Sequence, residues 1–407
     1  MSPQEPAELR ARRQIDEQLI RAGWIVVDRK ELDIVGHQGV AVREVPLHKD
    51  AGRVDYLLYL DGRAVGVIEA KPNGFTLTGV EWQSRRYAKG LDERQKRNAL
   101  LVADELPFIF EASGTETHFT NLYDPEPRAR YIFNFPKPET LARIIRKSDD
   151  PLGATWRACV QSMPSLVGYD LRPASHRAVL AIEQSLKSNQ HSKSLVQMAT
   201  GAGKTRMAVT ESYRLLKFGG FNRVLFLVDR NNLGDQTLRE FRDFTTPDDG
   251  RKFTDLYNVD KLTSSGMVGS SAVVISTIQR VWSVLKGQDV VDQDDPNLDS
   301  FTPDVPVEVQ YNAELPPEAF DLVIVDECHR SIYGLWRGVI DYFDAHIVGL
   351  TATPTKQTIG FFNQNLVSEY TFEQSVADKV NVDFEVYRIK TQITEKAHKL
   401  MQGPWCL

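Results

Sequence analysis

Between Glu8 and Gly23 the apolar residues Ile15, Leu19 and Ile20 recur at helical spacing, and a glycine follows, so one opening helix is predicted. Two strand-like runs come next, VDYLLYL and AVGVIEA, joined by Asp61-Gly62-Arg63. A DG step between apolar runs predicts a hairpin over residues 54–70. From Trp82 to Lys96 the pattern returns to helical character with many charges. The Pro-rich region between Pro125 and Pro164 then predicts a domain boundary near 155–165.

Beyond that boundary the pattern changes. SLVQMAT, VLFLVD, AVVIST, DLVIVD and HIVGLTAT are short, nearly continuous apolar runs separated by helical or loop segments. Strands of that kind, alternating with helices, predict a buried parallel sheet covered on both faces. Residues 286–318 interrupt the alternation with Asp, Pro and Gln, which predicts an exposed insertion. No internal repeat and no long low-complexity tract is present.

Composition narrows the function classes only slightly. A chain of 407 residues is long enough for two or three domains, at about 150 residues each. The net charge of −6 argues against a uniformly basic surface, so any nucleic-acid contact must come from local basic patches. Cys159, Cys328 and Cys406 are odd in number and far apart, which suggests neither a disulfide framework nor a zinc site and fits a reducing cytosol. The N-terminus is polar where a signal peptide needs an apolar stretch, and no run of about 18 apolar residues occurs. A cytoplasmic protein with no membrane span is therefore expected.

The first chemical motif is Ala199-Thr200-Gly201-Ala202-Gly203-Lys204-Thr205, between the strand SLVQM and the helical RMAVTESYRLL. In that order consecutive backbone N–H groups and a helix N-terminus surround phosphate oxygens. Lys204 then reaches the terminal phosphates, and the Thr205 hydroxyl holds Mg²⁺. The general pattern places a glycine where this chain has Met198, so the match is to the helicase variant of the loop. Asp326 and Glu327 end the strand DLVIV about 120 residues later. A carboxylate there is placed to hold Mg²⁺, and its neighbour to polarise the attacking water, although solvated acids also end buried strands by chance.

Asp326 to His329 spell DECH, Thr351 to Thr353 spell TAT and Ser276 to Gln279 spell STIQ. Together they resemble the nucleotide-coupling and strand-contact motifs of superfamily-two DEAD/DEAH-type helicases, a resemblance that gives His329, Thr351 and Thr353 the coupling of nucleotide state to strand binding. The segment 227–237 is similar to a backbone-contact loop of that family. The segment 171–179 corresponds to its adenine-recognition element, but the usual glutamine is absent.

In the first domain Asp55, Glu69 and Lys71 form a D…ExK set across the predicted hairpin, with Glu69 and Lys71 on one face by period-two alternation. Two carboxylates can hold Mg²⁺ against a scissile phosphate while the lysine stabilises developing charge. An exposed Asp, Glu and Lys across a hairpin also occur without function. Gln83 and Tyr87 follow as a QxxxY element on one helix face. Between Arg85 and Arg97 lie six Lys or Arg against two acids, either a phosphate-tracking patch or a solvated face. Glu17 is a further candidate acid.

These features resemble the RecB-like PD-(D/E)xK nuclease domain and helicase motor of the restriction subunits of type I restriction-modification systems. The resemblance implies an α/β protein: a mixed-sheet endonuclease domain over 1–160, a parallel-sheet RecA-like ATPase lobe over 161–375, and the start of a second lobe or linker over 376–407. It implies Asp55 and Glu69 as metal ligands, Lys71 as catalytic, and ATP and Mg²⁺ as cofactors. Double-stranded DNA and the modification and specificity subunits are the implied partners. Because the sequence stops at Leu407, where such a second lobe would begin, slow ATP hydrolysis by this chain alone is expected. Two rival readings stay open: a stand-alone helicase or repair translocase with a DNA-binding appendage, and a catalytically inactive fragment.

Overall fold

A computed structural model describes residues 6–31, 37–48, 51–75, 77, 81–262, 270–287, 308–331 and 336–383. The N-terminal unit is a seven-stranded mixed sheet in chain order: β1 (Ile25–Asp28), β2 (Gly39–Pro46), β3 (Arg53–Leu60), β4 (Arg63–Ala70), β5 (Phe108–Ala112), β6 (Thr117–Asn121) and β7 (Arg130–Ile132). The pairs β1–β2 and β4–β5 are parallel and the others antiparallel. The predicted hairpin is β3–β4, turning through Asp61 and Gly62 with φ of 47° and 79°. Two successive positive φ values make the turn whose twist matches that of the strands, which is why glycine follows aspartate here.

Both faces of that hairpin are covered, which explains why its sequence is apolar rather than alternating. Helix α1 (Ala7–Arg21) buries Ile15 and Leu19 against Tyr56 and Ile68. Helix α2 (Glu81–Lys89) places Ala88 against Leu57 and Val67 on the other face. Ile20, expected on the buried stripe of α1, is 59% exposed. The single helical segment read from Trp82 to Lys96 divides at Gly90, and α3 (Glu93–Arg97) restarts under an Asp92–Gln95 capping box.

After α4 (Pro138–Arg146) and α5 (Trp156–Cys159) the core changes. Ala142 is the last residue of the N-terminal cluster and Val160 the first of the next. The second unit opens with α6 (Pro173–Ser188) and runs through β8 (Lys193–Met198), α7 (Lys204–Lys217), β9 (Val224–Val228), α8 (Asn231–Asp243), β10 (Val259–Lys261), β11 (Val273–Thr277), β12 (Leu322–Val325), β13 (His346–Thr351) and β14 (Leu366–Tyr370). Its seven strands are all parallel in the order β10-β11-β9-β12-β13-β8-β14. The five predicted apolar runs are β8, β9, β11, β12 and β13. One buried cluster lies on each face of the sheet, so every residue of β12 and β13 is buried.

Of the predicted insertion, 288–307 lie outside the described residues, as do 384–407 of the predicted second-lobe start. The end of the insertion is not an exposed loop. Leu315 is fully buried, and the Glu318 carboxylate accepts the Lys137 backbone N–H at 2.8 Å. The reason is that this segment sits where the two units meet. Beside it Arg130 forms a bidentate pair with Asp344, both contacts at 3.0 Å, and Phe133 packs on Tyr342 with ring centroids 4.7 Å apart. Burial opposes the charge of Asp344, but the Arg130 guanidinium outweighs it and holds the carboxyl below its usual range.

Removing one partner of so enclosed a pair leaves an uncompensated charge. Asp344→Ala is therefore expected to lower unfolding free energy in urea by about 3 kcal/mol, and the apolar double change Arg130→Met with Asp344→Leu to recover most of that loss. A single-variant loss below about 1 kcal/mol would show that the pair does not hold the junction.

Candidate active sites

The carboxyl edge of the parallel sheet gathers the predicted nucleotide motif. β8 ends at Met198, Gly201 and Gly203 have φ of 76° and 100°, and α7 begins at Lys204. Only glycine enters that region without strain, and the resulting turn points successive N–H groups inward. Arg172 donates to the Gly201 carbonyl at 2.7 Å, Asn381 to that of Thr200 at 3.0 Å and Ser175 to that of Ala202 at 3.4 Å. The Ala202 N–H closes the turn on the Ala199 carbonyl at 3.2 Å, and with the other carbonyls held from outside the N–H groups of Gly201 and Gly203 are left to face a ligand. Thr205 is partly buried at the first turn of α7.

Two strands away, Asp326 and Glu327 follow β12. The Lys204 ammonium donates to Glu327 Oε1 at 2.7 Å, with the lysine side chain 10% exposed. Burial raises the Asp326 carboxyl above its usual value, against the opposing charge of Lys204. Glu327 has a φ of 46°, unusual for a residue with a side chain, and strain of this kind costs on the order of 1 kcal/mol and concentrates at functional sites. From Glu327 the contacts continue. His329 Nδ1 lies 3.4 Å from Glu327 Oε2 and 3.0 Å from Thr351 Oγ1, which accepts the Thr353 N–H at 3.1 Å. The structure thus joins Lys204, Glu327, His329, Thr351 and Thr353 in one chain of contacts. Ser276 and Thr277 lie buried at the end of β11, and the 227–237 segment is the β9–α8 turn.

In the N-terminal unit Asp55 and Glu69 face each other across β3 and β4. Asp55 Oδ2 accepts the Ala70 N–H at 2.9 Å, and Lys71 donates to Glu69 Oε1 at 2.7 Å. Glu69 is 4% exposed; burial pushes its carboxyl up to about 7, the Asp55 charge adds to the shift and Lys71 opposes it. The pattern did not signal Arg12 of α1, whose guanidinium reaches Asp55 Oδ1 at 2.6 Å and Glu44 at 2.8 Å. A cation therefore already lies where a metal-binding carboxylate needs one. Among the described residues no group of three or more His, Cys, Asp or Glu is gathered to hold a metal ion. Two carboxylates suffice for Mg²⁺, which commonly keeps several waters and takes one or two protein oxygens.

The remaining candidates separate from that pair. Glu17 is exposed and lies 3.8 Å from Arg21, and Asp16 is held by Arg43 and Tyr56. Tyr87 lies half-buried on α2, whereas the side chain of Gln83 is outside the described residues. Arg85 and Lys89 of the basic stretch pair with the buried Glu105 at 3.3 and 3.1 Å.

Comparison with known proteins agrees with this arrangement. The family model for the res subunit of type III restriction enzymes matches residues 168–356, and that for the second domain of the type I EcoKI endonuclease subunit matches 35–122. The EcoKI endonuclease subunit of Escherichia coli K12 is 27% identical over 433 residues, covering 91% of this chain and 34% of its own length. The EcoAI endonuclease subunit of Escherichia coli is 24% identical over 409 residues, covering 95% and 44%. A fragment structure assigned to an HsdR subunit of a type I enzyme from Vibrio vulnificus YJ016 is 22% identical and covers 86% of this chain and 58% of that one, at a TM-score of 0.34, too loose a superposition to add to the sequence matches. The motor match alone does not separate type I from type III enzymes, but the relatives that align across both units are type I. With both units matched in the same order, the chain is a homologue of the endonuclease subunits of type I restriction enzymes and spans about a third to under half of the length of these two relatives.

Proposed function

We propose that this chain supplies the nuclease and the first ATPase lobe of a cytoplasmic type I restriction subunit, which couples ATP-driven translocation on double-stranded DNA to cleavage of unmodified DNA. Its partners in that reading are the modification and specificity subunits. The observation that carries it is the contact chain from Lys204 through Glu327 and His329 to Thr351, standing in one polypeptide with the Asp55, Glu69 and Lys71 set.

At the motor site the N–H groups of Gly201 and Gly203 cradle phosphate oxygens, that of Ala202 joins them once it leaves the Ala199 carbonyl, and Lys204 moves from Glu327 to the terminal phosphate. Released from the lysine, Glu327 accepts a proton from the attacking water, and His329 carries the change to the Thr351–Thr353 loop. Thr205 and Asp326 would hold Mg²⁺, which would supply neutralisation of phosphate charge. At the nuclease site Asp55 and Glu69 would hold a second Mg²⁺, which would supply Lewis-acid polarisation of the scissile phosphate. Lys71 steadies the charge that develops there, Arg12 withdraws from Asp55, and Gln83 and Tyr87 position the DNA backbone.

Lys204→Ala should abolish detectable binding of a fluorescent ATP analogue while leaving the far-UV circular dichroism unchanged; unaltered affinity would remove the nucleotide site from Lys204. For the nuclease, Glu69→Gln or Lys71→Ala, placed at the matching positions of a reconstituted full-length complex, should reduce Mg²⁺-dependent plasmid cutting at least a hundredfold without changing ATP binding. Wild-type cutting by both variants would leave the motor reading standing alone.

The Glu69 carboxyl must lose its proton to hold a cation. Since burial raises it to about 7, cleavage should climb as pH rises from about 6 to 8. The linked stability has the opposite sign: a raised carboxyl favours the folded state below about pH 4.5, and that contribution is lost as pH rises through about 7. A pH–rate profile flat between 6 and 8 contradicts the assignment.

A further inference from the structure

Where the two units meet, a cleft of about 80 Å³ opens between α4, the 154–157 segment and the loops that carry Glu318, Asp321 and Asp344. A water needs roughly 10–15 Å³ of such space, so the cleft admits a larger polyatomic guest. Four cations line it, Arg130, Arg143, Lys147 and Arg157, against those three carboxylates.

Each carboxylate is already engaged. Glu318 takes the Lys137 N–H at 2.8 Å and the Thr140 hydroxyl at 3.2 Å, and Asp344 takes both arms of Arg130. Asp321 Oδ2 takes the N–H groups of Asn222 and Arg223 at 2.7 and 3.2 Å and the Asn222 side-chain amide at 3.1 Å. Three of the four cations are not so committed. Among the described residues, the side chains of Arg143, Lys147 and Arg157 make no hydrogen bond and no ion pair, and Arg157 rests its guanidinium 4.1 Å from the centre of the Trp156 ring. Arg130 Nη1 is buried without a hydrogen-bond acceptor, the nearest oxygen being Asp124 Oδ2 at 3.8 Å.

We propose that this cleft binds a single phosphate group, held by Arg157 and Arg130 on one side and by Arg143 and Lys147 of α4 on the other. The titration of the site is mixed: against its burial, Asp344 and Asp124 raise Arg130, whereas Arg157 is lowered. Burial and the neighbouring Arg130 charge push Arg157 down to about 10, and burial together with Arg143 lowers Arg223. A doubly charged tetrahedral oxyanion opposes the Arg130 repulsion on Arg157 and gives an acceptor to the Arg157 fork and to Arg130 Nη1. All four ligands lie on β7, α4 with its C-cap, and α5, so the bound anion sits on the N-terminal side of the junction, next to the Arg130–Asp344 pair that crosses it. Two sources share this chemistry: the inorganic phosphate that an ATPase releases, and a backbone phosphate of DNA.

The test is a titration of the 407-residue chain with inorganic phosphate at constant ionic strength, read by calorimetry and by thermal melting. All proteins carry Lys204→Ala so that loss at the cleft is not masked by the nucleotide loop. Saturating phosphate is expected to raise Tm by about 2 °C relative to chloride. Lys147→Ala, near the surface, and Arg157→Gln, deeper in, should each weaken phosphate binding about tenfold. The Tm of each variant without phosphate reports whether it still folds. No phosphate-specific heat and no Tm rise, or binding unchanged by both substitutions, overturns the proposal. A duplex-DNA arm assigns the source: loss of phosphate binding with duplex affinity intact marks a free anion, whereas weaker duplex binding with a salt slope shallower by about one marks a backbone phosphate.

Discussion

The catalytic geometry of the second unit depends on the register of three neighbouring parallel strands. Val325 pairs with Gly349, and Thr351 pairs with Gln197, so β12, β13 and β8 finish at nearly the same height on one edge of the sheet. Because they are parallel, their following loops all leave from that edge, and the phosphate loop, Asp326-Glu327 and Thr351 converge without any long-range search. Tight packing keeps the register: a Cβ on Gly349 would meet the fully buried Phe362 ring at 2.2 Å. A one-residue slip of β13 would carry Thr351 away from His329 and turn its apolar side chains to the wrong faces.

The two candidate sites use the same pairing in different surroundings. Lys71 on Glu69 and Lys204 on Glu327 are both at 2.7 Å. In each, a lysine neutralises a carboxylate that has been withdrawn from water, and the approach of a phosphate gives that lysine a competing partner. At the hairpin the second carboxylate, Asp55, is tied on both oxygens, to Arg12 and to the Ala70 N–H. At the motor site the second carboxylate, Asp326, accepts the Glu327 N–H through Oδ1. Under the proposed function the hairpin site has to exchange a guanidinium before it holds metal, while the motor site has only to release a lysine.

What was legible in the sequence were contacts local along the chain or fixed by strand pairing. The Asp61-Gly62 turn, the glycines at 201 and 203 and the five central apolar strands carry their own signals, because backbone conformation and burial select residue type directly. The pairing of Asp55 with Glu69 followed from the hairpin. Edge strands β1, β7, β10 and β14 are partly exposed, so they lack the continuous apolar run that marks the equally short but fully buried β9, β11 and β12. Arg12, Asn381 and the Arg130–Asp344 pair were invisible for a different reason. Each contact spans 43 to 214 residues, and one exposed-looking charge in a helix or loop does not reveal which distant partner folding will bring to it.

That last class of contact also fixes how the two cores are oriented. The Phe133–Tyr342 stack supplies burial at the junction, but aromatic rings tolerate several packing angles and by themselves define no single arrangement. The fork of Arg130 on Asp344 accepts one, since both N–H groups must meet both oxygens in a common plane. Asp344 lies just before β13, the strand that ends at Thr351, and Arg130 lies on β7 of the nuclease sheet. A displacement of β13 along its axis is thus opposed at one end by the ion pair and at the other by the His329 contact. The N-terminal mixed sheet is thereby tied to the strand that ends at Thr351 beside His329.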